Sequence, residues 1–232
     1  MIASIHQPHF LPWLGYWNKV LASDVFLWLD SVQYRKNYFQ NRTRILTRGG
    51  EPAWLTLPVH APFGIAIDAV VVAEPRWRER VRRTVEQNYG KSPYFSRCWP
   101  PVADALEAAT DRLTDVNYRT FQTVLELLGD PVRVVRVSEL GPLPEDPTER
   151  LLEACRKVGA NTYIAGRGGR NYLRCEVFEK SGIRVLWQEF DVANAAYPQG
   201  MPAFVGGLSV VDCLFHVGPQ KARELIQGAW KA

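Results

Sequence analysis

Residues 24–30 read Asp-Val-Phe-Leu-Trp-Leu-Asp, five apolar side chains in succession closed by an acid at each end. A run without a polar position cannot keep one face in water, so it forms a strand covered on both sides, as in the centre of a parallel sheet. Parallel strands need crossover connections, and helices supply the covering layers. The run therefore commits the chain to a layered α/β fold.

Periodicity supplies the remaining parts. Residues 1–7 read as a short buried strand running into a proline-punctuated loop, and 14–21 as a helix. Residues 33–48 concentrate cations and rings without a regular period until their end, which marks a loop with function. Strands are expected at 54–59 and 67–73, joined by a turn at 62–64. Helices follow at 76–88, 102–109 and 117–128, the last stopped by Gly129. Strands at 132–137, 162–165 and 184–189 then alternate with helices at 147–159 and 172–181, and helices at 208–216 and 220–230 close the chain. Such alternation implies right-handed crossovers and a mainly parallel sheet. The expected fold is α/β, a three-layer Rossmann-like core whose halves, 1–75 and 131–232, are separated by a helical insert at 76–130.

A chain of 232 residues with 47% apolar and 22% charged side chains has the material for a sizeable core, which excludes a disordered tail, a collagen repeat or a small disulfide scaffold. The net charge of +4, from 28 basic against 24 acidic residues, is mild and mostly arginine. No run of like charge reaches five, so no nucleic-acid partner is expected. Cys98, Cys155, Cys175 and Cys213 stand far apart without a CxxC pair, and no metal site is expected. No apolar stretch reaches eighteen residues, and the opening Met1 to Pro8 lacks the basic start of a signal peptide. The expectation is a cytoplasmic, reduced protein with no membrane span.

Ligands of open parallel sheets sit beyond the C-terminal strand ends, where His6, Asp30, Ser138 and the loop from Gly166 to Tyr172 would meet. An imidazole at His6, or at His9 just beyond, is a candidate general base or oxyanion donor; its plainer role is to bond a loop carbonyl. Asp30 closes a buried strand and needs a partner, expected to be Arg42, Arg44 or Lys36. Gln33 and Tyr34 follow with an amide and a phenol for a sugar hydroxyl or an amine. Asn41, Arg42 and Arg44 lie in an extended stretch where positions two apart share a side, so the guanidiniums form either a fork for phosphate or carboxylate or a solvated edge. Gly166, Gly169, Arg170, Asn171 and Tyr172 lie between a strand and a helix, in an anion nest or a plain tight turn. Ser209 and Asp212, three apart at a helix start, fit a capping box as well as a binding pair. Cys213 and His216 share a helix face, although free cysteines are usually packing residues.

Several segments carry a resemblance: His6-Gln7-Pro8, Pro12-Trp13-Leu14-Gly15-Tyr16, Asp30-Ser31-Val32-Gln33-Tyr34, Asn41-Arg42-Thr43-Arg44, Trp54-Leu55-Thr56-Leu57-Pro58-Val59, Thr162-Tyr163-Ile164-Ala165-Gly166, Gly169-Arg170-Asn171-Tyr172-Leu173 and Leu208-Ser209-Val210-Val211-Asp212. Together they resemble the WbqC-like family, bacterial proteins often found among genes for surface polysaccharide and for amino-sugar or natural-product assembly. The resemblance implies transfer of a glycyl or other acyl group to an amino-sugar-like acceptor, and it adds Gln7 and Tyr16 to the substrate-binding candidates. The opening order of strand, Pro-rich loop, Gly and helix is also similar in layout to nucleotidyltransferases and ligases whose first loop carries His-x-Gly-His over ATP phosphates. Here the equivalent positions read Trp13-Leu14-Gly15-Tyr16, with neither histidine.

The expected function is a small-molecule transferase or amide-forming enzyme. His6 takes the proton of an attacking amine, Arg42, Arg44 and Arg170 hold the anionic part of a donor, and Asp30 and Gln33 hold the acceptor. Two alternatives stand beside it: an ATP-dependent ligase or nucleotidyltransferase using ATP and magnesium, and a non-catalytic module docking an acidic carrier protein or a glycan on residues 35–48. The sequence itself requires no cofactor.

Overall fold

The computed structural model describes residues 1–129 and 131–231; the expected end of the insert at 130 and the final residue, 232, lie outside the described residues. The elements run β1 (Ile2–His6), α1 (Leu14–Leu21), β2 (Val25–Trp28), β3 (Arg42–Leu46), β4 (Pro52–Thr56), β5 (Val59–His60), β6 (Val71–Val72), α2 (Trp77–Tyr89), α3 (Phe95–Ala108), α4 (Leu113–Leu128), β7 (Arg133–Arg136), α5 (Pro147–Lys157), β8 (Thr162–Ala165), α6 (Cys175–Lys180), β9 (Arg184–Trp187), β10 (Glu189–Phe190), α7 (Val210–Gly228) and β11 (Trp230–Lys231).

Five strands form the central sheet in the order β7-β2-β1-β8-β9, all parallel. From β1 the chain winds outward to β2 and β7, then returns to build β8 and β9 on the other side. The strand order reverses between β1 and β8, and at such a switch point a crevice opens beyond the strand ends.

The apolar run at 24–30 sorts by the two-residue period of a strand. Val25, Leu27 and Leu29 join Ala3, Ile5, Tyr163 and Phe178 in a core under α5 and α6. Phe26 and Trp28 join the opposite core with Trp17 and Phe121, and the Phe121 ring stacks on Phe26 at 5.4 Å and on Trp17 at 4.7 Å. The helices α3 and α4 pack with α7 on that second face, and α7 packs on α1. The layered α/β, Rossmann-like reading holds.

Local expectations needed correction. Residues 67–73 are not one strand: Ile67–Ala69 is a 3₁₀ turn, and only Val71–Val72 pairs, with β5. The end of the 33–48 segment is β3, antiparallel to β4, because alternating burial of Thr43 and Ile45 gives it an inner face. The helix expected from 102 starts at Phe95, since burial of Cys98 and Trp99 carries it through Pro100 and Pro101. The helix expected from 117 starts at Leu113. The helix expected at 172–181 shrinks to α6, preceded by a 3₁₀ turn at Arg167–Asn171. The last two helices are one element broken at Gly218, whose φ of 78° precedes Pro219.

Candidate functional site

Parallel register sets the first contacts. Trp28 lies level with Arg136, so the residues two beyond each strand, Asp30 and Ser138, meet. The Asp30 carboxylate accepts from the Ser138 amide at 3.0 Å and from its hydroxyl at 2.8 Å. The predicted partners Arg42, Arg44 and Lys36 are thereby corrected: the buried acid is satisfied by the neighbouring strand end. Ser4 lies level with Ile164, which carries His6 and Gly166 to the same height at the switch point.

Around His6 the loop 7–13 and helix α1 gather polar groups under the sheet edge. The His6 ring lies 4.6 Å from those of His9 and Tyr16, and His9 lies 5.2 Å from Tyr16. The Tyr16 hydroxyl donates to Gln7 O at 3.2 Å. His6 Nδ1 lies 3.0 Å from Gln7 O, and because a carbonyl only accepts, Nδ1 carries the hydrogen and Nε2 keeps its lone pair. Burial, then the charge of Lys19 and the neighbouring His9, hold the His6 pKa well below the usual imidazole value. Burial and Lys19 push His9 down to about 3. Both rings are neutral at physiological pH.

Lys19 is the residue that sequence reasoning missed. It is 3% exposed, and its Nζ donates to Ile5 O at 2.7 Å. Burial lowers its pKa from 10.5 to about 7. It lies three residues after Tyr16 on the same face of α1, a helix whose eight residues are all buried. His9 is also 3% exposed, and neither of its ring nitrogens has a hydrogen-bond partner. The rings of Tyr38, at 5.2 Å, and Phe39, at 5.6 Å, cover it.

The other candidates take varied places. Gln7 Oε1 accepts from Gln40 at 3.0 Å, tying the loop after β1 to the 33–41 segment. The Tyr34 hydroxyl donates to Asn41 Oδ1 at 2.9 Å, and Asn41 donates to Leu57 O, so both polar groups are used within the fold. Gln33 is exposed and pairs through its backbone with Ala66. Arg42 and Arg44 share the outer side of β3, but they form no common fork. Arg42 stacks on Trp54 at 4.1 Å and donates to Asn37 O, whereas Arg44 reaches toward Gly207. Arg170 stacks on Trp187 at 4.9 Å and meets Glu189 at 3.4 Å. Gly166 caps the start of the 3₁₀ turn and Gly169 lies within it, its amide bonding Gly166 O; Asn171 and Tyr172 are exposed.

The start of α1 is closed by a side chain. A Cβ on Gly15 would stand 2.3 Å from the Trp13 indole, so that ring lies across the first turn, where only glycine lets it fit. Ser209 is the N-cap of α7, and its hydroxyl donates to Leu11 O at 2.7 Å. Asp212 is fully buried and accepts from Tyr89 and Tyr197, each at 2.7 Å, and from Gln199 at 3.0 Å. This pair joins α7 to the end of α2 and to the loops around it. Burial pushes the Cys213 thiol far up, away from thiolate chemistry, and His216 Nδ1 bonds Asp212 O at 2.8 Å.

Among the described residues, no helix is long and apolar enough to cross a membrane. No solved structure matches the chain. A mycobacterial protein called "Uncharacterized protein Rv1507c", from Mycobacterium tuberculosis (strain ATCC 25618 / H37Rv), is 30% identical over 220 residues, which cover 94% of each chain. The profile of the WbqC-like protein family matches residues 7–224, from the loop after β1 into the second half of α7. The match runs along almost the whole chain, takes in Asp30, Ser138 and Gly166 and begins one residue after His6, and the protein belongs to the WbqC-like protein family.

Proposed function

We propose that the protein is a small-molecule transferase or amide-forming enzyme that acylates an amino sugar or a related amine. The observation that carries this reading is His6, a neutral imidazole at the end of β1 whose Nδ1 is fixed by Gln7 O and whose Nε2 lone pair is left as proton acceptor. The acceptor amine attacks the acyl carbon of the donor, so a C–N bond forms and the bond to the leaving group breaks with its electron pair. His6 Nε2 takes the amine proton and returns it to the leaving group. Asp30 and Ser138 on one side and the Gly166 turn on the other flank this position, with exposed Gln33 and Tyr172 as further acceptor contacts.

The test is incubation with acyl thioesters or acyl phosphates and a panel of amino sugars, read by mass spectrometry for the amide. Removing a true general base lowers the rate by about 10²–10⁴-fold, so His6→Ala should lose the product to that extent. Absence of product from every combination, or an unchanged rate in His6→Ala, overturns the reading.

A second reading, an ATP-dependent ligase or nucleotidyltransferase, is favoured by the strand order, because the switch point between β1 and β8 is where doubly wound sheets hold nucleotides. Calorimetry with ATP and magnesium decides between them: heat that vanishes in Lys19→Met favours the ligase, and no heat favours a preactivated donor.

A further inference from the structure

We propose that Lys19 and His9 together hold an oxyanion of the substrate, a carboxylate or phosphate group, at the C-terminal ends of β1 and β8. This rests on the reading above that the end of β1 is the substrate site, and it names the chemical class bound there.

Lys19 carries three N–H donors, and Ile5 O takes one of them. Among the described residues it belongs to no ion pair, although a buried ammonium ordinarily requires an anionic partner. His9 is equally buried, with two unpartnered nitrogens close enough to Lys19 to feel its charge. Polar groups left without partners in a protein interior are costly, and three or more unused valences crowd this one point. Gly166 faces Lys19: a Cβ there would stand 3.5 Å from Nζ, so glycine keeps the approach to the ammonium free of a side chain. Two of the three arginines expected to bind the anion are otherwise engaged, Arg42 on Trp54 and Arg170 on Trp187 and Glu189. The rings of Tyr38 and Phe39 pack over His9, so an anion reaches its nitrogens from the Lys19 side. The titratable groups gathered with Lys19 are His6 on β1, His9 in the loop and Tyr16 on α1, none of which supplies a negative charge near neutrality; the Tyr38 ring packs against His9.

The experiment titrates the ¹⁵N-histidine-labelled protein with inorganic phosphate and, separately, acetate near pH 6, at ionic strength held constant with chloride. The His6 and His9 signals should move with one or both anions, and loss of a charge-assisted contact in Lys19→Met should weaken the response at least about ten-fold. His9→Phe, which keeps the ring packing and removes both nitrogens, should weaken it similarly, read on His6. A response to phosphate alone supports a phosphoryl-bearing donor, and a response to acetate alone supports a carboxylate. No movement of His6 and His9 with either anion, or an equal response in Lys19→Met, overturns the proposal. So does a crystal structure at saturating anion in which only a water bridges Lys19 and His9. Binding is read here without turnover, so amide formation that persists in the assay above while both anions fail defeats the oxyanion site alone.

Discussion

Replacing Lys19 by methionine should stabilise the protein, and the gain should shrink as the pH rises. In the fold, burial lowers the Lys19 pKa from 10.5 to about 7, a difference equivalent to about 5 kcal/mol against the charged form. Below about pH 7 the folded state carries that whole penalty, because Lys19 is charged both folded and unfolded. Between about pH 7 and 10.5 the unfolded chain keeps a proton that the folded one releases, so wild-type stability rises with pH, by about 2 kcal/mol from pH 7 to pH 9. Methionine preserves the buried stem and removes the charge; leaving Ile5 O unpaired costs about 1 kcal/mol at every pH. The groups nearest Lys19 do not confuse the window, since His6 and His9 are held below the usual imidazole range and Tyr16 is raised above 10. Urea unfolding of both proteins at several pH values between 7 and 9 gives the two curves. Parallel curves, with no narrowing of the gap toward pH 9, would refute the assignment of a buried, charge-starved Lys19.

Three further outcomes follow from other contacts. For the acylation reaction, kcat/KM should decline above about pH 7 as free-enzyme Lys19 loses its proton, and a pH–rate series on Lys19→Met should lack that limb. Asp212→Asn leaves the Tyr89 hydroxyl hydrogen without an acceptor in a fully buried site, so chemical denaturation should show a loss of about 1–3 kcal/mol with the β1-end site intact. Gly15→Ala drives a methyl into the Trp13 ring and should cost about 1–3 kcal/mol, accompanied by a change in tryptophan fluorescence; an unchanged midpoint and spectrum would mean that the indole does not seal the start of α1.

Much of the fold was legible because its signals are local. The apolar run became β2, and the helix at 14–21 was placed to the residue. The errors lie where tertiary burial overrules local punctuation, as at Pro100 and Pro101 inside α3, or where buried apolar residues in and just after a 3₁₀ turn imitate a strand, as at Ile67 and Val70. The site shows the same division. Strand ends are readable, so His6, Asp30, Ser138 and Gly166 were placed at one edge of the sheet. Arg42 and Arg44 do share a side of β3, but Trp54 and Gly207, which separate them, arrive through long-range pairing. Lys19 was invisible because a helical lysine ordinarily lies in solvent, and only packing of α1 beneath the sheet shows it inside.

The central claim is that substrate meets the protein at the end of β1, and four histidines make this directly measurable. His6 and His9 belong to the site, His60 is exposed on β5, and His216 bonds within α7. In the ¹⁵N-histidine spectrum, any donor or acceptor found to be converted should move the His6 and His9 signals at the concentrations that support turnover and leave His60 and His216 in place. Turnover accompanied by shifts at His60 or His216, with His6 and His9 still, would contradict the account.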